Sequence, residues 1–88
     1  MNSIWKYALE VNDEQYIDAP AGALSLCVQT QKGNPCIWFK VDPYKPKEKR
    51  RIITHGTGHS VPGTTGDYIG SYQLKDGDLV FHVFESAV

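Results

Sequence analysis

The stretch Ala23-Leu24-Ser25-Leu26-Cys27-Val28-Gln29-Thr30-Gln31-Lys32-Gly33-Asn34-Pro35-Cys36-Ile37-Trp38-Phe39-Lys40-Val41-Asp42 holds two β-rich runs separated by the turn-forming residues Lys32 to Pro35. That pattern predicts an antiparallel hairpin. With the turn centred on Gly33-Asn34, Val28 faces Phe39, Leu26 faces Val41 and Thr30 faces Ile37, so both strands agree on one apolar face. The other face carries Ser25, Cys27 and Gln29 against Cys36, Trp38 and Lys40. In this register Cys27 faces Lys40 and Cys36 faces Gln31, and no disulfide joins the two thiols.

Working outward, Lys75-Asp76-Gly77-Asp78 signals a second hairpin, because Asp-Gly suits the paired positive φ angles of a type I′ turn. Leu74 then meets Leu79, Tyr72 meets Phe81 and Gly70 meets Val83. On the reverse face Gln73, Ser71 and Ile69 meet Val80, His82 and Phe84. Ile69, Val80 and Phe84 would leave apolar surface there, which predicts a homo-oligomer, most simply a dimer.

At the start of the chain, Ser3 to Val11 alternates Trp5, Tyr7, Leu9 and Val11 with Lys6, Ala8 and Glu10, the period of a half-buried strand. Asn12-Asp13-Glu14 turns into a short edge segment, Gln15 to Asp18, ended by Ala19-Pro20-Ala21-Gly22. Asp42 to Arg51 reads as an extended connection fixed by prolines, Arg50 to His55 as a strand, and Gly56 to Gly66 as a loop. Eight Gly and five Pro divide the 88 residues into segments too short for a long helix. The expected fold is all-β: one domain, residues 1–88, forming a small antiparallel sandwich or barrel of six to seven short strands.

Hydrophobic residues make up 41% of the chain and charged residues 22%, the composition of a soluble globular domain. Nine Lys and Arg against ten Asp and Glu leave a net charge of −1, so duplex nucleic acid is not an expected partner. No stretch approaches the roughly 20 apolar residues that cross a bilayer. The opening Met1-Asn2-Ser3-Ile4-Trp5-Lys6 lacks the basic and apolar segments of a signal peptide. These features predict a cytoplasmic protein with Cys27 and Cys36 reduced and no membrane contact.

His55-Gly56-Thr57-Gly58-His59 places two imidazoles four residues apart, but two glycines break any helix between them, and neither CxxC nor HExxH is present. No metal or other cofactor is expected. The loop from Gly56 to Gly66 has four glycines and several hydroxyls, so its amides could line an anion site, although it lacks the lysine and the helix of a P-loop. Thr57, His59 and Thr65 are its candidate binding residues. Residues 45–51 carry a net +4 and leave −5 for the remainder. Lys49, Arg50 and Arg51 are candidate contacts to a small phosphate-bearing ligand or an acidic protein. Trp38, beside Lys40 on the face away from the core, is a candidate aromatic anchor. Ser71 opposite His82 has the residue types of a nucleophile and its base, but no nucleophile elbow or acidic orienter accompanies them, and no catalytic residue is assigned.

The segments Ile4-Trp5-Lys6-Tyr7, Ala19-Pro20-Ala21-Gly22-Ala23, Val28-Gln29-Thr30-Gln31, Gly56-Thr57-Gly58-His59, Tyr68-Ile69-Gly70-Ser71-Tyr72-Gln73-Leu74 and Leu79-Val80-Phe81-His82-Val83-Phe84-Glu85 occur in this order. Together they resemble a small family of bacteriophage and prophage proteins of unknown function. The resemblance implies an accessory protein in the host cell that inhibits a host enzyme, blocks a defence complex or sequesters a signalling nucleotide. The expected function is therefore a non-enzymatic binding module whose partner is a host protein or a small phosphate-bearing ligand. The alternatives are a small hydrolase or nucleotide-processing enzyme using His59 or His82, and a minor virion component.

Overall fold

Seven strands arise where β-branched and aromatic residues alternate between turns: β1 (Ser3–Ala8), β2 (Glu14–Pro20), β3 (Leu24–Gln31), β4 (Asn34–Val41), β5 (Lys47–Gly56), β6 (Asp67–Leu74) and β7 (Leu79–Glu85). They come from a computed structural model that describes residues 1–86. All pairings are antiparallel. One sheet has the order β1-β4-β3 and the other β2-β5-β7-β6. The expected all-β fold is a sandwich of these two sheets, with β2 on an edge as its short segment suggested.

Side chains from the two inner faces make the core. Ile37, Phe39 and Val41 of β4 meet Ile52 of β5 and Val83 of β7, all at most 1% exposed. Trp5 and Tyr7 pack against this core from β1. β3 lies against β6 across the sandwich: a side-chain carbon at Gly70 would sit 3.2 Å from Cβ and N of Val28, so a larger residue there would have to push Val28 back by a few tenths of an ångström.

The first hairpin forms, but its register is two residues from the expected one. Val28 pairs with Ile37, Gln29 with Cys36 and Gln31 with Asn34. The turn residues are Lys32 (φ 52) and Gly33 (φ 80). Pro35 explains the shift. A two-residue turn at Gly33-Asn34 would require an amide donor from Pro35 to close it, and proline has none. Moving the turn back gives that position to Asn34 and puts Pro35 opposite Thr30. A shift of two preserves which residues share a face. A bulge between Ser25 and Cys27 then changes the far end, so Ser25 pairs with Phe39 and Cys27 with Trp38. Leu26 therefore does not face Val41 but is 43% exposed. Both cysteines are free thiols, as expected, although their neighbours across the strands differ from those expected.

In the second hairpin the expected pairs hold from Leu74 and Leu79 to Gly70 and Val83. Its turn has the positive φ expected of Asp76 (φ 55, ψ 35) and Gly77 (φ 91), closed by the Asp78 amide donating to the Lys75 carbonyl at 3.1 Å, and Lys75 adds a third positive φ of 52. A bulge between Tyr68 and Gly70 pairs Phe84 with Tyr68 in place of Ile69. Ile69 packs against the core and leaves the reverse face. Strand β5 also starts earlier than expected, at Lys47, which takes most of the basic segment out of the connection and into a sheet.

Candidate functional site

The bulge at Ile69 leaves Tyr68, Ser71, His82 and His55 projecting from the outer face of the four-stranded sheet, with Ser71, His82 and His55 in one cross-strand row. Ser71 Oγ lies 2.9 Å from His82 Nδ1, Tyr68 Oη 2.7 Å from Ser71 Oγ, and Thr57 Oγ1 2.8 Å from His82 Nε2. Thr57 Oγ1 also donates to the Val80 carbonyl at 3.3 Å. That carbonyl can only accept, so it fixes the direction of the chain. The Thr57 oxygen accepts from His82 Nε2–H, His82 Nδ1 accepts from Ser71, and Ser71 accepts from Tyr68. The polarity suits a serine and its base, but a hydroxyl holds the far side of the imidazole where a carboxylate would stabilise an imidazolium.

The loop contributes more than Thr57 to this face. Thr65 Oγ1 lies 2.8 Å from His55 Nε2, and the loop amides of Thr57 and His59 donate to the carbonyls of Val80 and Gly56. The His59 ring lies against Gly56, where a side-chain carbon would come within 3.0 Å of it. Phe84 is half-buried, edge-on to His55 at 5.7 Å and to Tyr68 at 5.5 Å. Of the three residues expected to form an oligomer interface, Val80 and Phe84 face outward and are partly covered, while Ile69 faces the core.

Each cation of the expected phosphate site has a carboxylate beside it. Lys49 Nζ is 3.6 Å from Asp18 Oδ1, and Arg51 pairs with Glu14. Arg50 turns inward, where its side chain is only 16% exposed. It donates to both carboxylate oxygens of Glu85 and, at 2.7 Å, to the Ala23 carbonyl, with its guanidinium carbon 5.3 Å from the centre of the Phe39 ring. Arg51 and Thr65 do meet, in a hollow of about 130 Å³ that also takes in His55 and Pro62. Lys49, Arg50 and Arg51 share a second hollow of about 520 Å³ with Glu48, Asp67 and Glu85, so its charge is mixed.

Trp38 is on the other sheet. On the outer face of β1-β4-β3 it is half-buried among Ile4, Leu26, Cys27 and Gln29, which with it line a shallow hollow of about 260 Å³. Ile4 is 63% exposed, Leu24 59% and Leu26 43%. Lys6 lies directly across from Trp38, and Lys40 across from both Ile4 and Leu24. Alternation already puts Ile4 on the face of Lys6, away from the core, but the outward turn of Leu24 and Leu26 was not anticipated, because the bulge that causes it has no glycine to mark it.

A family model described as "Domain of unknown function (DUF7352)" matches residues 1–88, and the chain belongs to that family. No curated protein and no solved structure matches the chain.

Proposed function

We propose that this member of the family is a non-enzymatic binding module that engages a host protein through the outer face of its three-stranded sheet. The resemblance of its ordered segments to phage and prophage proteins supports an accessory role in the host cytoplasm, where occupying a host or defence factor would inhibit it. Support comes from the surroundings of Trp38: an indole lining a shallow hollow, with Ile4, Leu24 and Leu26 exposed on the same sheet. A half-buried aromatic ringed by aliphatic groups is a form that interface hot spots take. The ion pairs of Lys49, Arg50 and Arg51 favour a protein over a phosphate-bearing ligand, because a phosphate would have to displace a carboxylate from each.

Affinity capture from host cells with three baits tests this reading. Wild type and Arg51→Glu are expected to retain the same host protein, and Leu26→Glu to lose it. Equal recovery by Leu26→Glu would contradict it.

A second reading, a small hydrolase with His82 as base, draws on the 2.9 Å contact between Ser71 and His82. Ester or phosphoester turnover that disappears in both Ser71→Ala and His82→Ala would support that reading over the first.

A further inference from the structure

We infer that the partner segment docking on the Trp38 face is acidic, with an apolar side chain in the hollow and carboxylates on either side that reach Lys6 and Lys40. This rests on the docking reading above and specifies the chemistry of the occupant.

The strands of the two sheets differ sharply in charge. The three strands β1, β3 and β4 contain Lys6 and Lys40 and neither Asp nor Glu. The four strands of the other sheet contain Glu14, Asp18, Glu48, Asp67 and Glu85 beside Lys47, Lys49, Arg50 and Arg51. Folding thus cancels much of the positive charge that is conspicuous in the sequence and leaves the inconspicuous pair unopposed within its sheet. The nearest carboxylates along β1 and β4 are Glu10 and Asp42, both beyond the strand ends. Asp42 Oδ1 there accepts the Tyr44 amide at 3.1 Å.

Position makes the two lysines useful. Lys6 is the cross-strand partner of Trp38, and Lys40 is two residues along β4, on the same face. Adjacent strands lie roughly 5 Å apart and a two-residue step covers roughly 7 Å, so both lysine backbones lie within reach of one short peptide seated on Trp38, although neither side chain lines the hollow itself. Lys6 Nζ already donates to Gln31 Oε1 at 2.5 Å, a neutral acceptor that a carboxylate can replace. Exposed lysines contribute little as isolated pairs, but beside a desolvated anchor they set orientation and exclude cationic partners.

Selection of a random-peptide library on the intact protein tests the inference without presupposing a ligand. Enriched peptides are expected to carry a Leu, Ile or aromatic residue between acidic residues. Their binding should weaken about tenfold in Lys6→Glu/Lys40→Glu and fall further in Leu26→Glu. Enriched peptides that are neutral or basic, or that bind the double lysine variant equally well, would overturn it. So would a concentration-dependent dimer that buries this face, or an oligonucleotide that shifts the Trp38 indole signal while acidic peptides do not.

The two readings fail separately. A captured host protein that depends on Leu26 but has no acidic docking segment would leave the binding module standing and remove this inference. Capture unaffected by Leu26→Glu would remove both.

Discussion

Arg50 and Glu85 hold each other across β5 and β7, with two guanidinium nitrogens on the two carboxylate oxygens and Phe39 of the opposite sheet beneath. The pair joins the layers of the sandwich: a third nitrogen binds the carbonyl of Ala23, just before β3. Replacing Arg50 with Ala would strand the Glu85 carboxylate. Because both side chains remain 16% exposed, the expected loss is about 2 kcal/mol, below the full value for a buried pair. Lys49→Ala and Arg51→Ala, at exposed pairs, should each cost no more than about 0.5 kcal/mol. Urea unfolding of the three variants checks the ranking, and equal effects would refute the assigned structural role of Arg50.

Gly66 has φ +111, and a side-chain carbon there would sit 2.1 Å from the Glu85 carbonyl oxygen. Backbone has to move to admit even a methyl group. Gly66→Ala should therefore cost about 3 kcal/mol or prevent folding, while Gly58→Ala, with positive φ but open space around it, should cost about 1 kcal/mol. Thermal melts of the two variants measure the difference.

Lys32 adopts φ 52 at the first turn position of the β3–β4 hairpin, where Asn is far better suited. Lys32→Asn creates the favoured Asn-Gly turn and should raise stability by about 0.5 to 1 kcal/mol. A loss of stability on urea unfolding would contradict the observed turn position and favour a turn at Gly33-Asn34.

This hairpin marks how far local sequence carries. Apolar alternation found the hairpin and its faces, because a slip of two residues leaves the faces unchanged. The exact register depended on the missing amide of Pro35, visible in the sequence once the closing hydrogen bond is considered. The bulge at Leu26 was not legible, since it depends on how one sheet packs on the other, and only Gly70, a glycine inside a strand, hinted at the one at Ile69. They decided the site: one exposed Leu26, and the other removed Ile69 from the expected interface. The pairing of the basic run was hidden for a related reason, since its carboxylate partners Glu14, Asp18 and Glu85 come from strands distant in sequence.

Tyr72 is 3% exposed, and its hydroxyl finds no hydrogen-bond partner among the described residues. Burial disfavours the phenolate and raises its pKa above the usual 10.0. Tyr7 is raised too, by burial first and then by the charge of Asp18. Above about pH 10 the unfolded chain releases these protons while the folded protein keeps them. Stability should therefore be level below that pH and decline as the pH rises beyond it. Tyr72→Phe removes an unsatisfied hydroxyl, so it should stabilise by about 1 kcal/mol and soften the alkaline decline. Urea midpoints from neutral pH to pH 11 test both statements.

The orientation of hydroxyls around His82 fixes its tautomer. With Val80 as the terminal acceptor, the proton belongs on Nε2 and Nδ1 accepts from Ser71. Long-range proton–nitrogen NMR of the neutral ring should find His82 as the Nε2–H form. Thr57→Val should shift the ring toward a tautomer mixture.

The docking claim is tested most directly by photo-crosslinking inside host cells, with a photoreactive residue at Gln29, exposed beside the Trp38 hollow, or at Gln73, exposed on the opposite sheet. A discrete adduct with one host protein is expected from position 29, abolished by Leu26→Glu, and none from position 73. An adduct from position 73 alone would contradict it and move the binding face to the four-stranded sheet.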